Sequence, residues 1–188
     1  MDRREFVKAA VALAGTLGLS QALKAGTQAE KTIINHLVAR GDMSDLDILQ
    51  GAVAAEYKAI YAYGFALQSG LLKGEPKELA KIFRASHQGH EDTLSGAIRS
   101  MGGTPVQAQK QYDFGVKIAT ASDIAKLAYS LERGAAQAYL NAVDSLENAK
   151  LKDAAAQIMA DEVLHATTWY KLVGHHPLGG YNQLPAKL

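Results

Sequence analysis

His87 and His90 stand three residues apart in the segment FRASHQGHEDTLSGAI, residues 83–98, on what is otherwise the apolar side of an amphipathic helix. Residues three, four and seven apart share a helix face, so both imidazoles point the same way as Leu79, Phe83, Leu94, Ala97 and Met101. Three other segments show the same kind of interruption. Glu56 breaks a stripe of Leu49, Ala52, Val53, Ile60 and Tyr63. Glu132 breaks one of Ile124, Ala128, Ala135, Tyr139, Val143 and Leu146. Glu162 and His165 break one of Ile158, Met159, Trp169, Leu172 and Val173. A bare carboxylate in an apolar core costs several kcal/mol, so such groups are expected there only if they neutralise one another or share a cation. The chain has no cysteine, which excludes thiolate ligands and disulfides. Any metal must be held by nitrogen and oxygen.

The spacings repeat between the two halves of the chain. Glu56 precedes His87 by 31 residues and His90 by 34, while Glu132 precedes Glu162 by 30 and His165 by 33. Tyr63 follows Glu56 by seven, and Tyr139 follows Glu132 by seven. A duplicated helical hairpin produces this pattern. Tyr57, Tyr63, Tyr129 and Tyr139 are expected to pack rather than to hydrogen-bond the carboxylates. Glu91, four after His87, is expected to be an exposed partner of Arg84, with metal coordination or orientation of the imidazole as the alternative. His175 and His176 are expected in a solvated loop.

Four helices must carry these residues. The first starts at Ser44, with Asp47 three residues on, and runs to about Leu72. The second starts at Pro76 and stops at Gly102-Gly103, the third follows TASD, capped by Ser122 or Thr120, to about Lys150, and the fourth runs from about Lys152 to Val173. Short joints make the first and second helices one antiparallel hairpin, and the third and fourth another. Between the hairpins, GTPVQAQKQYDFGVKIAT has no helical or strand period. A loop so long is uncommon inside a compact domain, but in a bundle it reads as one crossover running its full length. The organisation expected is all-α: a four-helix bundle over 45–174, a linker or short helix over 30–44, and a tail over 175–188.

This arrangement resembles the ferritin-like di-iron and di-manganese proteins, which take one Glu from each of two helices and a Glu-x-x-His motif from each of the other two. Glu56 and Glu132 match the single glutamates, and EVLH, Glu162 to His165, matches one motif. HQGH stands in place of the second, with His90 in the histidine position and His87 where the pattern has glutamate. The segments EYKAIYAYGFAL, FRASHQGHEDTL and LAYSLERGAAQAYLNA also look like an uncharacterised ferritin-like family of alanine-rich bacterial proteins. The resemblance implies a metal site of Glu56, His87, His90, Glu132, Glu162 and His165 holding iron or manganese. The donor types also suit zinc or copper. Haem is not expected, because it would leave the glutamates unexplained. Replacing a bridging glutamate by neutral imidazole removes one negative charge and one bridge. Three outcomes stay open: two ions bridged by water or hydroxide, one ion, or none.

The first residues, MDRREFVKAAVALAGTLGLSQALKAGTQA, resemble a twin-arginine export signal, with Arg3, Arg4, Phe6 and Lys8 carrying the match. Cleavage after Ala22 or Ala29 fits the small residues there. Loss of residues 1–29 removes four of the 20 basic and two of the 19 acidic residues, giving a net charge of −1 in place of +1. Neither value provides the basic footprint that nucleic acid requires. The apolar run from Ala9 to Leu19 is too short to span a bilayer, so no stable membrane insertion is expected once the signal is gone. The expected location is the periplasm or another exported compartment, with export in the folded state.

The function expected is metal binding with oxidative or peroxide chemistry, using oxygen or peroxide as the partner molecule. The alternatives are a metal-storage protein without turnover and a structural module that has lost the site. No residue is assigned a catalytic role, and assembly into a homo-oligomer is left open.

Overall fold

The computed structural model describes residues 44–174. The export signal, the linker or short helix expected over 30–44 except for Ser44, and the tail with His175 and His176 lie outside the described residues.

Four helices fill this region: α1 (Asp45–Gln68), α2 (Gly74–Ser100), α3 (Ala121–Ser145) and α4 (Ala149–Leu172). Each start has a chemical cause. Ser44 and Asp47 form a capping box on α1, Thr120 and Asp123 form one on α3, and the Asn148 side chain accepts from the Lys150 and Leu151 amides to open α4. Thr120, not Ser122, is therefore the cap of α3. That helix ends at Ser145, short of Lys150, because Leu146 turns to extended backbone and Asn148 caps the next helix. α1 stops at Gln68, before Leu72. Gly70, at φ +70°, takes the left-handed conformation that turns the chain into α2.

The core is divided into two apolar clusters. One holds Leu49, Val53, Leu94, Ile98, Tyr139, Ala142, Leu146, Ala155 and Ile158. The other holds Tyr63, Ala66, Leu72, Ala80, Phe83, Ile124, Ala125, Ala128 and Trp169. α1 and α4 run from the first cluster to the second, and α2 and α3 run the other way. The chain leaves α2 at the first cluster and must enter α3 at the second, so residues 101–120 travel the length of the bundle, as a single long crossover does.

The crossover is tied to α1. The Gln50 side chain donates to the Thr104 carbonyl (2.8 Å) and accepts from the Val106 amide (2.8 Å). Tyr61 packs on Tyr112 and Phe114. Lys58 is buried there with its ammonium 5.8 Å from the Phe114 ring centre, and burial lowers its pKa against the opposing pull of Asp113. At Gly103, where the crossover leaves α2, a Cβ would sit 2.7 Å from Cδ1 of Leu46 and 3.0 Å from Cγ2 of Ile98. The close approach favours glycine.

The stripes read from the sequence hold with small rotations. Ile98 and Ala80 are fully buried, while Met101, expected inside, is exposed. Ala142 takes the inner place beside the half-buried Val143, and Ala59 and Ala62 are buried while Ile60 is half-buried. The helix period of 3.6 drifts off any fixed count of three or four over several turns.

Candidate metal centre

Between the two apolar clusters lies a polar layer. Glu56 comes from α1, His87 and His90 from α2, Glu132 from α3, and Glu162 and His165 from α4, with residue exposures of 0–8 %. Helix spacing puts each of them one to two turns from buried apolar neighbours on the same face, which is why all six meet at one depth.

His87 is central. Its Nδ1–H donates to Oε2 of Glu56 (2.7 Å) and its Nε2–H donates to Oε1 of Glu132 (3.2 Å). Nδ1 also lies 3.5 Å from Oε1 of Glu162. Burial by itself would push the imidazole pKa down. The bonds to Glu132 and Glu56 and the charges of Glu132 and Glu162 outweigh it and hold the value well above 6.5. Glu56 is raised by burial but more strongly lowered by His87 and His90, so it stays below 4.5. Burial opposes ionisation at Glu132 too, yet contacts with His165 and His87 hold it far below the usual carboxylate range. At Glu162 the opposing charge of His87 is outweighed: burial and the adjacent Glu132 push its carboxyl well above 4.5.

A reciprocal pair of tyrosines braces the layer. The Tyr63 hydroxyl on α1 donates to Oε1 of Glu132 on α3, and the Tyr139 hydroxyl on α3 donates to Oε1 of Glu56 on α1. Trp169 extends one arm by donating from Nε1 to the Tyr63 hydroxyl (2.6 Å). Burial, followed by the neighbouring carboxylate, pushes both phenols well above 10 and keeps them as donors. The expectation that these two tyrosines only pack is therefore corrected. The repeated offset of seven residues from each glutamate was the available signal, because it places each phenol two turns along the same face. Tyr57 likewise donates to Glu91 (2.9 Å), joined there by the Ser95 hydroxyl (2.5 Å). Glu91 is half-buried against these partners rather than an exposed partner of Arg84, whose Nε has no hydrogen-bond partner. Tyr129 packs on Tyr170, with ring centres 5.1 Å apart, as expected of it.

His90 faces both ways. Nε2–H donates outward to Asp161 (3.2 Å), with the Ser86 hydroxyl 3.3 Å away, and this turns Nδ1 toward the layer. Asp161 is half exposed, so it marks the side where the layer comes nearest to solvent. The sequence reading missed it, because next to the inward Glu162 it reads as an ordinary surface acid.

Five buried atoms in the layer have no hydrogen-bond partner: Nδ1 of His90, Oε2 of Glu132, both carboxyl oxygens of Glu162, and Nδ1 of His165. They lie close together but out of line for hydrogen bonds. Nδ1 of His90 is 3.1 Å from Oε1 of Glu162, and Nδ1 of His165 is 3.5 Å from Oε2 of Glu132 and 3.9 Å from Oε2 of Glu162. Buried polar atoms are nearly always satisfied, and leaving one orphaned costs roughly 1–3 kcal/mol. Converging lone pairs of this kind suit a cation. Two overlapping sets have the required closeness: Glu56, His87, His90 and Glu162, and His87, Glu132, Glu162 and His165. All six residues singled out in the sequence fall in one set or both, and the donors fit a divalent ion.

Comparison with known proteins agrees with this fold. A family model described as a ferritin-like domain matches residues 44–175. A conserved hypothetical protein from Mycobacterium tuberculosis superposes with a TM-score of 0.64 at 26 % identity, covering 68 % of this chain and 96 % of that one. A dodecameric thioferritin, the bacterioferritin-related protein of Bacteroides fragilis, superposes with a TM-score of 0.59 at 18 % identity, covering 96 % of this chain and 99 % of that one. A search of curated proteins finds no match.

Proposed function

The chain belongs to the ferritin-like domain family, and from that premise we propose that it is an exported metal-binding protein whose polar layer holds divalent ions. The observation that carries the reading is the set of five unpartnered lone-pair atoms in a layer of three carboxylates and three imidazoles. A bundle that had kept the fold and lost the site would gain by closing such a layer with apolar side chains. Glu56, Glu132, Glu162, His87, His90 and His165 are the ligands of this proposal, with Tyr63, Tyr139 and Asp161 orienting them.

An ion held here would supply Lewis acidity and, if it is iron, manganese or copper, a change of oxidation state. The chain's own contribution is burial. Ligands so enclosed admit water, oxygen or peroxide more readily than any larger molecule, and peroxide reduction or oxidation of ferrous iron is the chemistry proposed. Storage without turnover is the second reading, supported by the four protein atoms that each set can offer one ion, which leave no open position at a tetrahedral centre. The twin-arginine resemblance supports export, and the dodecameric Bacteroides fragilis protein supports assembly into a homo-oligomer. No helix among the described residues is long and apolar enough to cross a membrane.

Elemental analysis of protein recovered from its own exported compartment, followed by peroxide addition, tests both readings. Bound metal with peroxide loss faster than that of free ions supports the enzymatic one. Bound metal without acceleration supports storage, and a chain that takes up no ion under anaerobic loading defeats both.

A further inference from the structure

We propose that His87 binds two divalent cations at once, one through each ring nitrogen, so that the centre is an imidazolate-bridged pair. The inference rests on the metal-binding reading above and goes beyond it by assigning a bridging role to the residue that departs from the family pattern.

The first support is the division of atoms. The two ligand sets share only His87 and Glu162, and each shared side chain presents a different atom to each set. Nδ1 of His87 faces Glu56 and Nε2 faces Glu132. Oε1 of Glu162 faces His90 and Oε2 faces His165. A ring lying between two sets with one nitrogen toward each has the disposition of a bridge.

The second support is dimensional. Oε2 of Glu56, Nδ1 of His87, Oε1 of Glu162 and Nδ1 of His90 form a closed circuit with successive separations of 2.7, 3.5, 3.1 and 3.6 Å. Atoms bound at about 2.0–2.1 Å to a tetrahedral ion lie about 3.3–3.4 Å apart. The first set therefore needs only small movements to close on an ion. The second set is looser: Nε2 of His87 lies 3.2 Å from Oε1 of Glu132, while Nδ1 of His165 lies 3.5 Å from the other oxygen of Glu132, Oε2, and 3.9 Å from Oε2 of Glu162.

The third support is charge. Two divalent ions bring four positive charges, and three glutamates return three negative ones. A ring bound through both nitrogens has lost both N–H protons and carries the fourth. The two ions take the places of the two protons that His87 shares with Glu56 and Glu132, and those protons go to solvent together with the one that burial favours on Glu162. His87 thus recovers the negative charge and the bridge that its replacement of glutamate had removed.

The test loads the ion-free full chain with copper(II) alone and follows it by electron paramagnetic resonance. The expected result is two ions per chain, with an integrated signal at least twofold below that of two independent ions. A half-field transition should place them about 6 Å apart, from about 2.0–2.1 Å on either side of the ring. His87→Gln should restore independent signals or reduce uptake to one ion. His87→Glu should draw the pair in to about 3.5–4 Å, as carboxylate-bridged centres are. Two uncoupled ions in the unaltered chain, a separation of about 3.5–4 Å there, or coupling that survives His87→Gln overturns the bridge and leaves metal binding standing. Uptake of one ion does the same. Uptake of none overturns the metal-binding reading itself. The measurement on the unaltered chain decides the matter even if a variant fails to fold.

Discussion

The Tyr139 hydroxyl on α3 donates to the Glu56 carboxylate on α1, across 83 residues of sequence, and Tyr63 returns the same bond from α1 to Glu132 on α3. Each helix thereby supplies a carboxylate and the clamp for the other helix's carboxylate. The exchange sets ligand orientation by interhelical packing rather than within one helix.

Removing either clamp should leave a buried carboxylate oxygen short of a donor. Tyr139→Phe and Tyr63→Phe should each lower the stability of the ion-free protein by about 1–3 kcal/mol and weaken metal binding by roughly 10–100-fold. Urea unfolding and competition titration against a chelator read the two effects. Equal unfolding midpoints for variant and parent would show that the phenols bear no such role.

Glu162 separates stability from binding. Its carboxyl is held well above 4.5 by burial and by Glu132, so its charged form is disfavoured in the ion-free layer. Glu162→Gln should keep the ion-free stability within about 0.5 kcal/mol or raise it, and should cut metal affinity by at least roughly 10–100-fold. Thermal unfolding with and without a chelator distinguishes the two. An equal drop in both conditions would mean that the carboxylate is needed for packing alone.

The pH dependence should reverse on metal loading. Glu56 and Glu132 are held below 4.5, so their stabilisation is present above that pH and is lost as pH falls through their folded values. His87 is held well above 6.5, so its contribution is complete below 6.5 and is lost as pH rises through its folded value. Glu162 acts in the same direction, costing stability as pH rises above 4.5. The ion-free protein should therefore lose stability as pH falls below 4.5 and weaken as pH rises toward alkaline values. Metal displaces protons from its ligands, so the loaded protein should gain stability over the same rise. Calorimetry at about pH 5.5 and about pH 8.5 compares the two forms, and parallel curves would refute the assignment.

Gly103→Ala should destabilise without touching the site. The added Cβ meets Leu46 and Ile98 where the crossover leaves α2, a packing strain worth about 1–3 kcal/mol. Metal affinity should be unchanged in the folded fraction, and altered affinity would imply that the crossover positions ligands.

Much of this was legible because helical periodicity is a one-dimensional signal. Glu56, His87, His90, Glu132, Glu162 and His165 each interrupt an otherwise apolar face, and the halves repeat that interruption at nearly equal spacing. Partnerships across helices were less legible. Whether Tyr63 packs or donates depends on an α1–α3 approach that no stripe encodes, and the burial of Lys58 depends on a crossover with no period. Asp161 escaped notice because its role comes from the distant His90 rather than from its own surroundings. The placement of His87 between two carboxylates required three helices to be seen together.

The two ligand sets each draw on three helices: α1, α2 and α4 for one, α2, α3 and α4 for the other. Neither hairpin contains a complete set. A chain cut once within residues 101–120 would consist of two pieces, each lacking half the donors, and the ion would be the fastener that rejoins them. On the proposed metal site, complementation between severed hairpins would depend on metal, because the site straddles the fold's only long connection among the described residues.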